Sequence, residues 1–390
     1  MPNSLVIKKK IKSFNNIIQV SGDKSLSIRW VLFSSLGSGI STSKNLLMSD
    51  DVIASIKAVR KLGIKVIVKK NVCKIFGKGI NGYKYKKNII INAQNSGTLG
   101  RLILGAIIDT PYPIKIIGDN SLSKRDFKRI ADPLTKFGAK FKLKDNSTLP
   151  LIIKGSTKLK SINFLEKKGS AQCKSAVIFG ALKSNGETTI KAKKSRNHTE
   201  LLCKYLNIPI KVYSKNNYDY IKIKKISKID KLNYNIPADI SSSAFFMVLT
   251  ALSENSKLTL KNVNINPTRT GIISILKKMG VNIKIKNKKL YKGEINADIK
   301  VERLLSVIDI VHISQVYIIY LSSLKGSSFS PGPESLDVKL FKEEEIPWND
   351  LAFESIKETL RFYFKNFPLR DEGKKEEKNL ILRMTIDQKL

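Results

Sequence analysis

The stretch Ser21-Gly22-Asp23-Lys24-Ser25-Leu26-Ser27-Ile28-Arg29 is followed directly by the apolar run Trp30-Val31-Leu32-Phe33. Small polar residues and cations thus stand immediately before a segment with the composition of a buried helix. Ser and Asp are preferred N-cap residues, and the first turn of a helix carries unpaired backbone N–H groups that attract anions. The stretch therefore predicts a helix that begins at a polar, anion-attracting end.

This combination of a polar cluster and an apolar helix recurs along the chain at a nearly constant spacing. One residue of each copy serves as a marker, and successive markers are 73, 74, 70 and 73 residues apart. The markers are Ser25, Thr98, Gln172, Ser242 and, in a fainter fifth copy, Gln315. Self-similarity at a fixed period indicates a repeated structural unit.

Strand and helix patterns lie between the markers. Short β-branched runs of the kind found in strands occur at 65–68, 88–91 and 114–118. Second helices are predicted over 51–63, 127–138 and 270–280, and the last two end at a glycine suited to a C-cap. Each unit is therefore predicted to be an α/β module, and stacked units would bury the apolar helices.

The polar clusters all fall at helix starts, and this placement bears on function. For any one cluster, an ordinary N-cap explains the polar residues. Four clusters on one register, most of them with a Lys or Arg, instead predict that several helix ends converge. Such a group of ends would form a pocket for phosphate and carboxylate groups.

The composition fits two globular domains and no membrane span. The chain has 390 residues, of which 42% are hydrophobic and 26% charged, so a sizeable core can form. The longest apolar runs, 244–249 and 316–321, have six residues each, far below the roughly 20 that a span needs. The first 14 residues lack the hydrophobic stretch of a secretory signal, so a cytoplasmic location is predicted.

The charge is strongly basic but unevenly distributed. Lys and Arg outnumber Asp and Glu by 71 to 32, for a formal net charge of +39. The lysines are scattered and are not interleaved with aromatic residues, so a solvated basic surface is favoured over a nucleic-acid face. From Glu334 onward there are 13 acidic and 11 basic residues, so the composition changes near residue 334.

Side chains that ligate metals or form disulfides are few. Cys73, Cys173 and Cys203 are widely spaced and form no CxxC pair, which argues against a disulfide framework or a zinc site. Only two histidines, His198 and His312, accompany them. No metal site is therefore predicted.

Seven ordered segments resemble the signature segments of one enzyme family, 3-phosphoshikimate 1-carboxyvinyltransferase, also called EPSP synthase. They are Ser21–Arg29, Asn95–Thr98, Gly118–Arg125, Ser170–Ala176, Ser195–Glu200, Asp239–Phe246 and Asn266–Gly271. Each segment alone is a weak signal, but together and in order they extend over residues 20–280. The chain is identified on this basis as a member of the family.

The resemblance implies an α/β (α+β) fold of two similar domains, a two-domain inside-out α/β barrel of repeated βαβαββ units. Helix starts from both domains would face a central cleft that closes over the substrates. In the family, the first strand belongs to the second domain. The implied domains are therefore 21–234, with three units, and a second domain formed by 1–20 together with 235–390.

The resemblance also implies a reaction and its ligands. The family transfers the enolpyruvyl group of phosphoenolpyruvate to the 5-hydroxyl of shikimate-3-phosphate, on the route to chorismate and the aromatic amino acids. By resemblance, shikimate-3-phosphate would be bound by Lys24, Ser25, Arg29, Ser170, Ala171, Gln172, Ser195 and Arg196. Phosphoenolpyruvate would be bound by Lys24, Gly97, Arg125 and Gln172. No metal, cofactor, membrane or specific nucleic acid is implied, and the family habit is a monomer.

The last third of the chain departs from the family pattern at the catalytic positions. His312 stands in place of an aspartate that accepts a proton, and Lys339 remains from a Lys-Glu-x-Asp-Arg segment. Leu340 and Glu343 replace the Glu and Arg of that segment. Either the altered tail leaves a substrate-binding protein of low activity, or His312 serves as base and a glutamate within 343–345 serves as acid.

Two other functions compete with this one. The related enolpyruvyl transferase that acts on UDP-N-acetylglucosamine carries a reactive cysteine in a Gly-rich loop, and none of the three cysteines here has that setting. A non-catalytic nucleic-acid binder would use the basic charge, and its binding would weaken steeply with salt. It would leave the seven ordered segments unexplained.

Overall fold

The computed structural model describes residues 13–70, 72–253, 255–302, 338–351 and 354–366, together with strands at 306–310, 315–319 and 380–383. His312 lies outside the described residues. Elements up to residue 224 are, in chain order, β1 (Asn15–Ile18), α1 (Lys24–Leu36), β2 (Ser38–Lys44), α2 (Asp50–Lys61), β3 (Lys65–Lys69), β4 (Val72–Lys78), β5 (Ile90–Asn92), α3 (Gly97–Ala106), β6 (Ile114–Ile117), α4 (Asn120–Ser123), α5 (Lys128–Lys136), β7 (Lys140–Lys144), β8 (Thr148–Lys154), β9 (Asn163–Glu166), α6 (Ala171–Ala181), β10 (Glu187–Lys193), α7 (His198–Tyr205), β11 (Ile210–Lys215) and β12 (Tyr218–Lys224).

The second part of the chain begins with a short strand and a long apolar helix. Its elements are β13 (Tyr234–Asn235), α8 (Ile240–Leu252), β14 (Lys257–Asn264), α9 (Gly271–Lys278), β15 (Asn282–Tyr291), β16 (Glu294–Glu302), β17 (Ser306–Ile310), β18 (Gln315–Ile319), β19 (Val338–Phe341), a 3-10 helix (Glu343–Glu345), α10 (Glu354–Asn366) and β20 (Leu380–Arg383). The helices predicted from sequence over 51–63, 127–138 and 270–280 correspond to α2, α5 and α9. Gly138 and Gly280, which follow α5 and α9, both have a left-handed backbone, as the C-cap prediction required.

Four of the sheets share one strand order. They run β13-β2-β4-β3, β5-β6-β8-β7, β9-β10-β12-β11 and β1-β14-β16-β15. In each sheet the first two strands are parallel, and the other neighbouring pairs are antiparallel. A helix connects the two parallel strands of the second and third sheets, as parallel pairing requires. These are βαβαββ units, so the predicted repeat is confirmed for the copies marked by Ser25, Thr98, Gln172 and Ser242. It is wrong for the fifth copy, because Gln315 begins the strand β18 and not a helix.

Two strands are exchanged between the first and fourth sheets. β1 pairs with β14 of the fourth sheet, whereas β13 pairs with β2 of the first. The two crossing segments are also hydrogen bonded to each other, from Asp23 N to Pro237 O (2.8 Å) and from Asp239 N to Ser21 O (3.1 Å). The predicted division at residues 20 and 235 requires such an exchange, and the domain bounds themselves stay a prediction.

The largest hydrophobic core is built around α1, α3 and α6. Every residue of α1 from Ser25 to Leu36 is buried, as expected for a helix that is apolar on most sides. Ile75, Ile116 and Ile190, from one strand in each of the first three sheets, pack into the same core. A second core forms between α8, α9 and the fourth sheet. No helix in the described ranges has both the length and the apolar composition needed to cross a membrane.

The close contact between α3 and α6 depends on Gly105. A Cβ atom at this position would lie 2.1 Å from the carbonyl oxygen of Ala176 and 2.9 Å from Cβ of Phe179. Gly105→Ala is therefore expected to force the helices apart and to lower the free energy of unfolding by about 1–3 kcal/mol. Gly271→Ala is the matched control, because a Cβ there would meet nothing within 4 Å. Urea unfolding measures both, and equal midpoints for the two variants would contradict the prediction.

Candidate active site

The helix starts of the four units share one construction. The side chain of the residue just before each helix accepts a hydrogen bond from a backbone N–H group of the first turn. These capping residues are Asp23, Ser96, Ser170 and Asp239. The N-cap interpretation of the polar clusters is therefore correct for these four positions. The markers Ser25, Thr98 and Gln172 lie at the second residue of their helices, where their side chains are available for other partners.

Hydrogen bonds between side chains join the starts of α3 and α6. Gln172 donates through Nε2 to Thr98 Oγ1 (3.0 Å), and Arg101 donates through Nη1 to Gln172 Oε1 (2.6 Å). A Cβ added to Gly97 would lie 3.0 Å from Nη1 of Arg101 and 3.3 Å from Nη1 of Arg125. Gly97, Gln172 and two guanidinium groups therefore meet at one place.

Arg125 is held at this place by the loop before α3. Its Nη2 donates to Asn95 Oδ1 (3.0 Å) and to Ser121 Oγ (3.3 Å). Asn95 in turn donates to Asp119 Oδ2 (2.8 Å), the residue that caps α4. The side chain of Arg125 stays exposed, so its charge is available to a ligand.

Arg29 joins α1 to α6 and α7 from inside the protein. Its Nε donates to Thr199 Oγ1 (2.8 Å) and its Nη2 to Ser175 Oγ (3.1 Å). Its Nη1 donates to the carbonyl oxygen of Ser25 (3.1 Å). Burial lowers the pKa of Arg29, and the nearby carboxylates of Glu200, Asp23 and Glu294 partly offset this effect. The resulting pKa is about 10, so the guanidinium remains protonated at neutral pH. Arg29 thus supplies a fixed positive charge behind Ser25.

A buried ion cluster lies next to these contacts. Lys174 is fully buried, and its Nζ lies 2.7 Å from Glu200 Oε1 and 3.4 Å from Asp219 Oδ2. Lys174 and Glu200 adjoin Ser175 and Thr199, the two hydroxyl residues that bind Arg29 and contact each other at 2.7 Å. The ion cluster therefore fixes α7 against α6.

The starts of α1 and α8 are joined through two capping carboxylates. Arg269 bridges them: it is ion-paired with Asp23, and its Nη2 donates to Asp239 Oδ1 (3.0 Å). The backbone N–H of Lys24 donates to the other oxygen of Asp239 (3.1 Å). The Lys24 side chain is about half exposed, and its Nζ lies 3.6 Å from Asp51 Oδ2. Its charge is therefore accessible to solvent.

The loop before α7 brings Ser195 and Arg196 toward the same cluster. Partial burial and the nearby Arg269 lower the pKa of Arg196, whereas Asp23 and Asp239 raise it, so Arg196 lies within the field of these groups. Ser195 Oγ is buried without a hydrogen-bond partner among the described residues. These two residues therefore extend the group of polar side chains to a third part of the chain.

His198 anchors the start of α7 to the fourth sheet. Its Nδ1 lies 2.7 Å from Glu294 Oε1, and both side chains are fully buried. Burial alone raises the pKa of Glu294, but hydrogen bonds from His198, Asn264 and Asn266 outweigh it and leave the pKa lowered. The contact gives His198 a structural role.

Of the catalytic residues predicted in the last third, His312 lies outside the described residues. Lys339 belongs to β19, which pairs with β20. The three glutamates of the 3-10 helix are exposed. The roles predicted for His312 and Lys339 stay predictions.

Several residues of the site were missed by the sequence prediction. Arg101 follows the marker Thr98 by three residues, and a cation one turn after the marker, as in Arg29 four residues after Ser25, is a signal that could have found it. Lys174 also stood in a quoted segment. No local signal pairs Arg269 with the two capping aspartates, because these residues are up to 246 positions apart.

The repeated βαβαββ units are the architecture that the sequence resemblance implied. The profile of one family, EPSP synthase (3-phosphoshikimate 1-carboxyvinyltransferase), matches residues 8–339 of the chain. The chain belongs to the EPSP synthase family. The family and fold predicted from sequence are thereby confirmed.

Curated relatives and solved structures agree with this assignment. A 3-phosphoshikimate 1-carboxyvinyltransferase of Sulfurihydrogenibium sp. is 40% identical over 294 residues, covering 75% of this chain and 68% of that protein. The protein of the same name from Caldicellulosiruptor bescii is 40% identical over 287 residues, covering 73% and 65%. The one from Ruthia magnifica is 34% identical over 364 residues, covering 91% and 82%. A solved EPSP synthase from Acinetobacter baumannii has a TM-score of 0.69 and 35% identity, covering 75% of this chain and 65% of that one. The chain thus spans about two thirds of the length of most of these relatives.

Proposed function

We propose that the chain transfers the enolpyruvyl group of phosphoenolpyruvate to the 5-hydroxyl of shikimate-3-phosphate. One observation carries the proposal: side-chain contacts join the first two turns of α1, α3, α6 and α8. The first turn of each helix offers backbone N–H groups and a partial positive charge. Two anionic substrates can be bound together only where positive charge offsets their mutual repulsion.

The two substrates divide the site between them. Shikimate-3-phosphate would lie against Ser25 and the start of α6, with Arg196 on its phosphate and Arg29 behind it. Phosphoenolpyruvate would lie near Gly97, where Arg101 and Arg125 approach each other. Lys24 would contact both substrates from the start of α1.

The reaction explains the need for this arrangement. The 5-hydroxyl oxygen adds to C2 of phosphoenolpyruvate while C3 accepts a proton, giving a tetrahedral intermediate. C3 then loses a proton as the C2–O bond to phosphate breaks, and the enolpyruvyl ether remains. Holding both reactants in contact converts a bimolecular step into an intramolecular one. Fixed dipoles and cations stabilise the charge that develops in a site shielded from water.

Proton transfer is assigned to the last third of the chain. We propose His312 as the base that replaces the family aspartate, a glutamate of the segment 343–345 as acid, and Lys339 as a further catalytic residue. General acid and base groups typically contribute about 10²–10⁴-fold each. Loss of these groups would leave a protein that binds shikimate-3-phosphate but turns over slowly.

The properties of the three cysteine thiols argue against the alternative function, a cysteine-dependent transferase that acts on UDP-N-acetylglucosamine. All three cysteines are buried. Burial raises the pKa of Cys73 to about 11, and it raises the pKa of Cys173 and, strongly, that of Cys203. A reactive cysteine requires a lowered pKa and access to the substrate. None of the three therefore suits nucleophilic or acid chemistry at neutral pH.

Phosphate release in the presence of both substrates tests the proposal. The expected result is release that requires phosphoenolpyruvate and shikimate-3-phosphate together, with the enolpyruvyl ether detected by mass spectrometry. Calorimetric titration with shikimate-3-phosphate runs in parallel. Binding without release would identify an impaired relative, whereas neither binding nor release would overturn the proposal.

We further propose that the protein acts as a monomer in the cytoplasm. The site is assembled from residues of one chain, so a partner subunit is not needed to complete it. Light scattering after size exclusion, with and without shikimate-3-phosphate, measures the oligomeric state. A dimer that persists on dilution would contradict this part of the proposal.

A further inference from the structure

The side-chain amide of Gln172 is bound on both of its polar ends. Its Oε1 accepts from Arg101 Nη1 at 2.6 Å, and its Nε2 donates to Thr98 Oγ1 at 3.0 Å. The amide nitrogen carries two hydrogens, and among the hydrogen bonds of the described residues only Thr98 accepts one of them. Gln172 is half-buried at the start of α6, so its second N–H can still reach a ligand.

The chemistry of Arg101 allows the amide only one orientation. A guanidinium group donates hydrogen bonds and cannot accept them, so the group facing it must be the amide oxygen. If the amide turned over, two donors would face each other and the oxygen would point to the opposite side. An anion placed there would then meet a partial negative charge instead of an N–H group.

Arg101 is itself fixed in place. Only 4% of its surface is exposed, and its guanidinium lies 5.1 Å from the centre of the buried Phe127 ring. Its Nη2 donates to the carbonyl oxygen of Asp126 (3.3 Å). Burial, together with the nearby charge of Arg129, lowers the pKa of Arg101 to about 10, so the group stays protonated and donor-only at neutral pH.

We propose that Arg101 is a positioning residue that locks the amide of Gln172 with its N–H group toward the anionic substrate. The inference rests on the proposed function for the identity of that anion. Arg101 acts in this account through Gln172 and need not touch the substrate. Its contribution is to keep the amide oxygen of Gln172, which would repel an anion, turned away from the site.

The orientation can be measured without any turnover. The chain contains five glutamines, so selective ¹⁵N-glutamine labelling gives five side-chain NH₂ pairs, and the pair lost in Gln172→Ala is that of Gln172. In the unaltered protein this pair should be sharp, with a contact to the Thr98 side chain. In Arg101→Met the pair should broaden or shift, while Arg101→Lys, which still donates, should retain it. Arg101→Gln can accept as well as donate, so it should show two orientations and serves if Arg101→Met does not fold.

Binding provides the functional readout through a double-mutant cycle. The dissociation constant of phosphoenolpyruvate with shikimate-3-phosphate bound should rise about tenfold in Arg101→Met, since one oriented hydrogen bond is lost. In a protein that already carries Gln172→Ala, adding Arg101→Met should not raise this dissociation constant further. Arg129→Met is the matched control, because Arg129 is a nearby cation that, among the described residues, donates no hydrogen bond to Gln172.

The outcomes separate this inference from the proposed function. An unchanged Gln172 pair in Arg101→Met and Arg101→Gln overturns the positioning role. Additive effects in the double mutant, or an equal loss in Arg129→Met, also overturn it, because Arg101 would then act by charge alone. If the unaltered protein binds neither substrate, the proposed function fails, and the NMR signals still decide the orientation of the amide.

Discussion

Replacing Lys24 by methionine is expected to lower turnover by about 10²–10³-fold, the usual cost of removing one donor that stabilises developing charge. The stability of the protein should change little. The Lys24 side chain is 49% exposed and its ion pair with Asp51 is 3.6 Å long, and exposed pairs of this kind contribute about 0–1 kcal/mol. Steady-state phosphate release and urea unfolding measure the two quantities.

Lys222→Met is the matched control for Lys24. The Lys222 side chain is 53% exposed and its Nζ lies 3.9 Å from Glu187, so it resembles Lys24 in exposure and pairing. It lies on β12, away from the joined helix starts. Turnover should be unchanged in this variant. An equal loss in the two variants would mean that the general basic charge of the chain, and not the position of Lys24, governs activity.

Lys174→Met is expected to have the largest effect on stability, a loss of about 3–5 kcal/mol in the free energy of unfolding. The side chain is fully buried between Glu200 at 2.7 Å and Asp219 at 3.4 Å. Its removal leaves two buried carboxylates without their ion-pair partner. Because Glu200 adjoins Thr199, which binds Arg29, the loop that carries Arg196 should also shift. Affinity for shikimate-3-phosphate should therefore fall together with the unfolding midpoint.

Lys183→Met is the matched control for Lys174. Lys183 is also buried, with 4% of its side chain exposed, and its Nζ lies 2.6 Å from Asp109. The Asp109 side chain is 29% exposed, so water can hydrate the carboxylate that remains. A loss of about 1–2 kcal/mol is expected, without an effect on shikimate-3-phosphate binding. Equal losses in the free energy of unfolding for Lys174→Met and Lys183→Met would show that leaving a second buried carboxylate unpaired does not destabilise the protein.

Much of the local structure could be predicted from the sequence. The markers Ser25, Thr98 and Gln172 all lie at the second residue of a helix, because capping, apolar patterning and β-branched runs act within a few residues. The family resemblance then supplied the strand exchange and the binding residues. It could not supply the contacts made by those residues, since motifs name positions and not partners.

The partners were decided by the tertiary structure. Arg29 was expected to hold shikimate-3-phosphate, yet its hydrogen bonds run to Thr199 and Ser175, 170 and 146 positions away. The predicted and observed roles are compatible, because a buried guanidinium that braces three helices also places positive charge behind Ser25. Arg101 and Lys174 entered the site only when α3, α6 and α7 were seen packed together.

The sequence by itself determined where the marked helices of the first four copies begin, that these ends are polar, and at what period the unit repeats. Capping preferences and apolar periodicity depend on neighbours within one or two turns, so they can be read along the chain. Only the tertiary structure decided that these ends meet and which groups face each other there. The contacts between Arg269 and Asp23, or between Lys24 and Asp239, join residues more than 200 positions apart. Such pairs form because buried helices and exchanged strands pack in one way, and no local pattern records that packing.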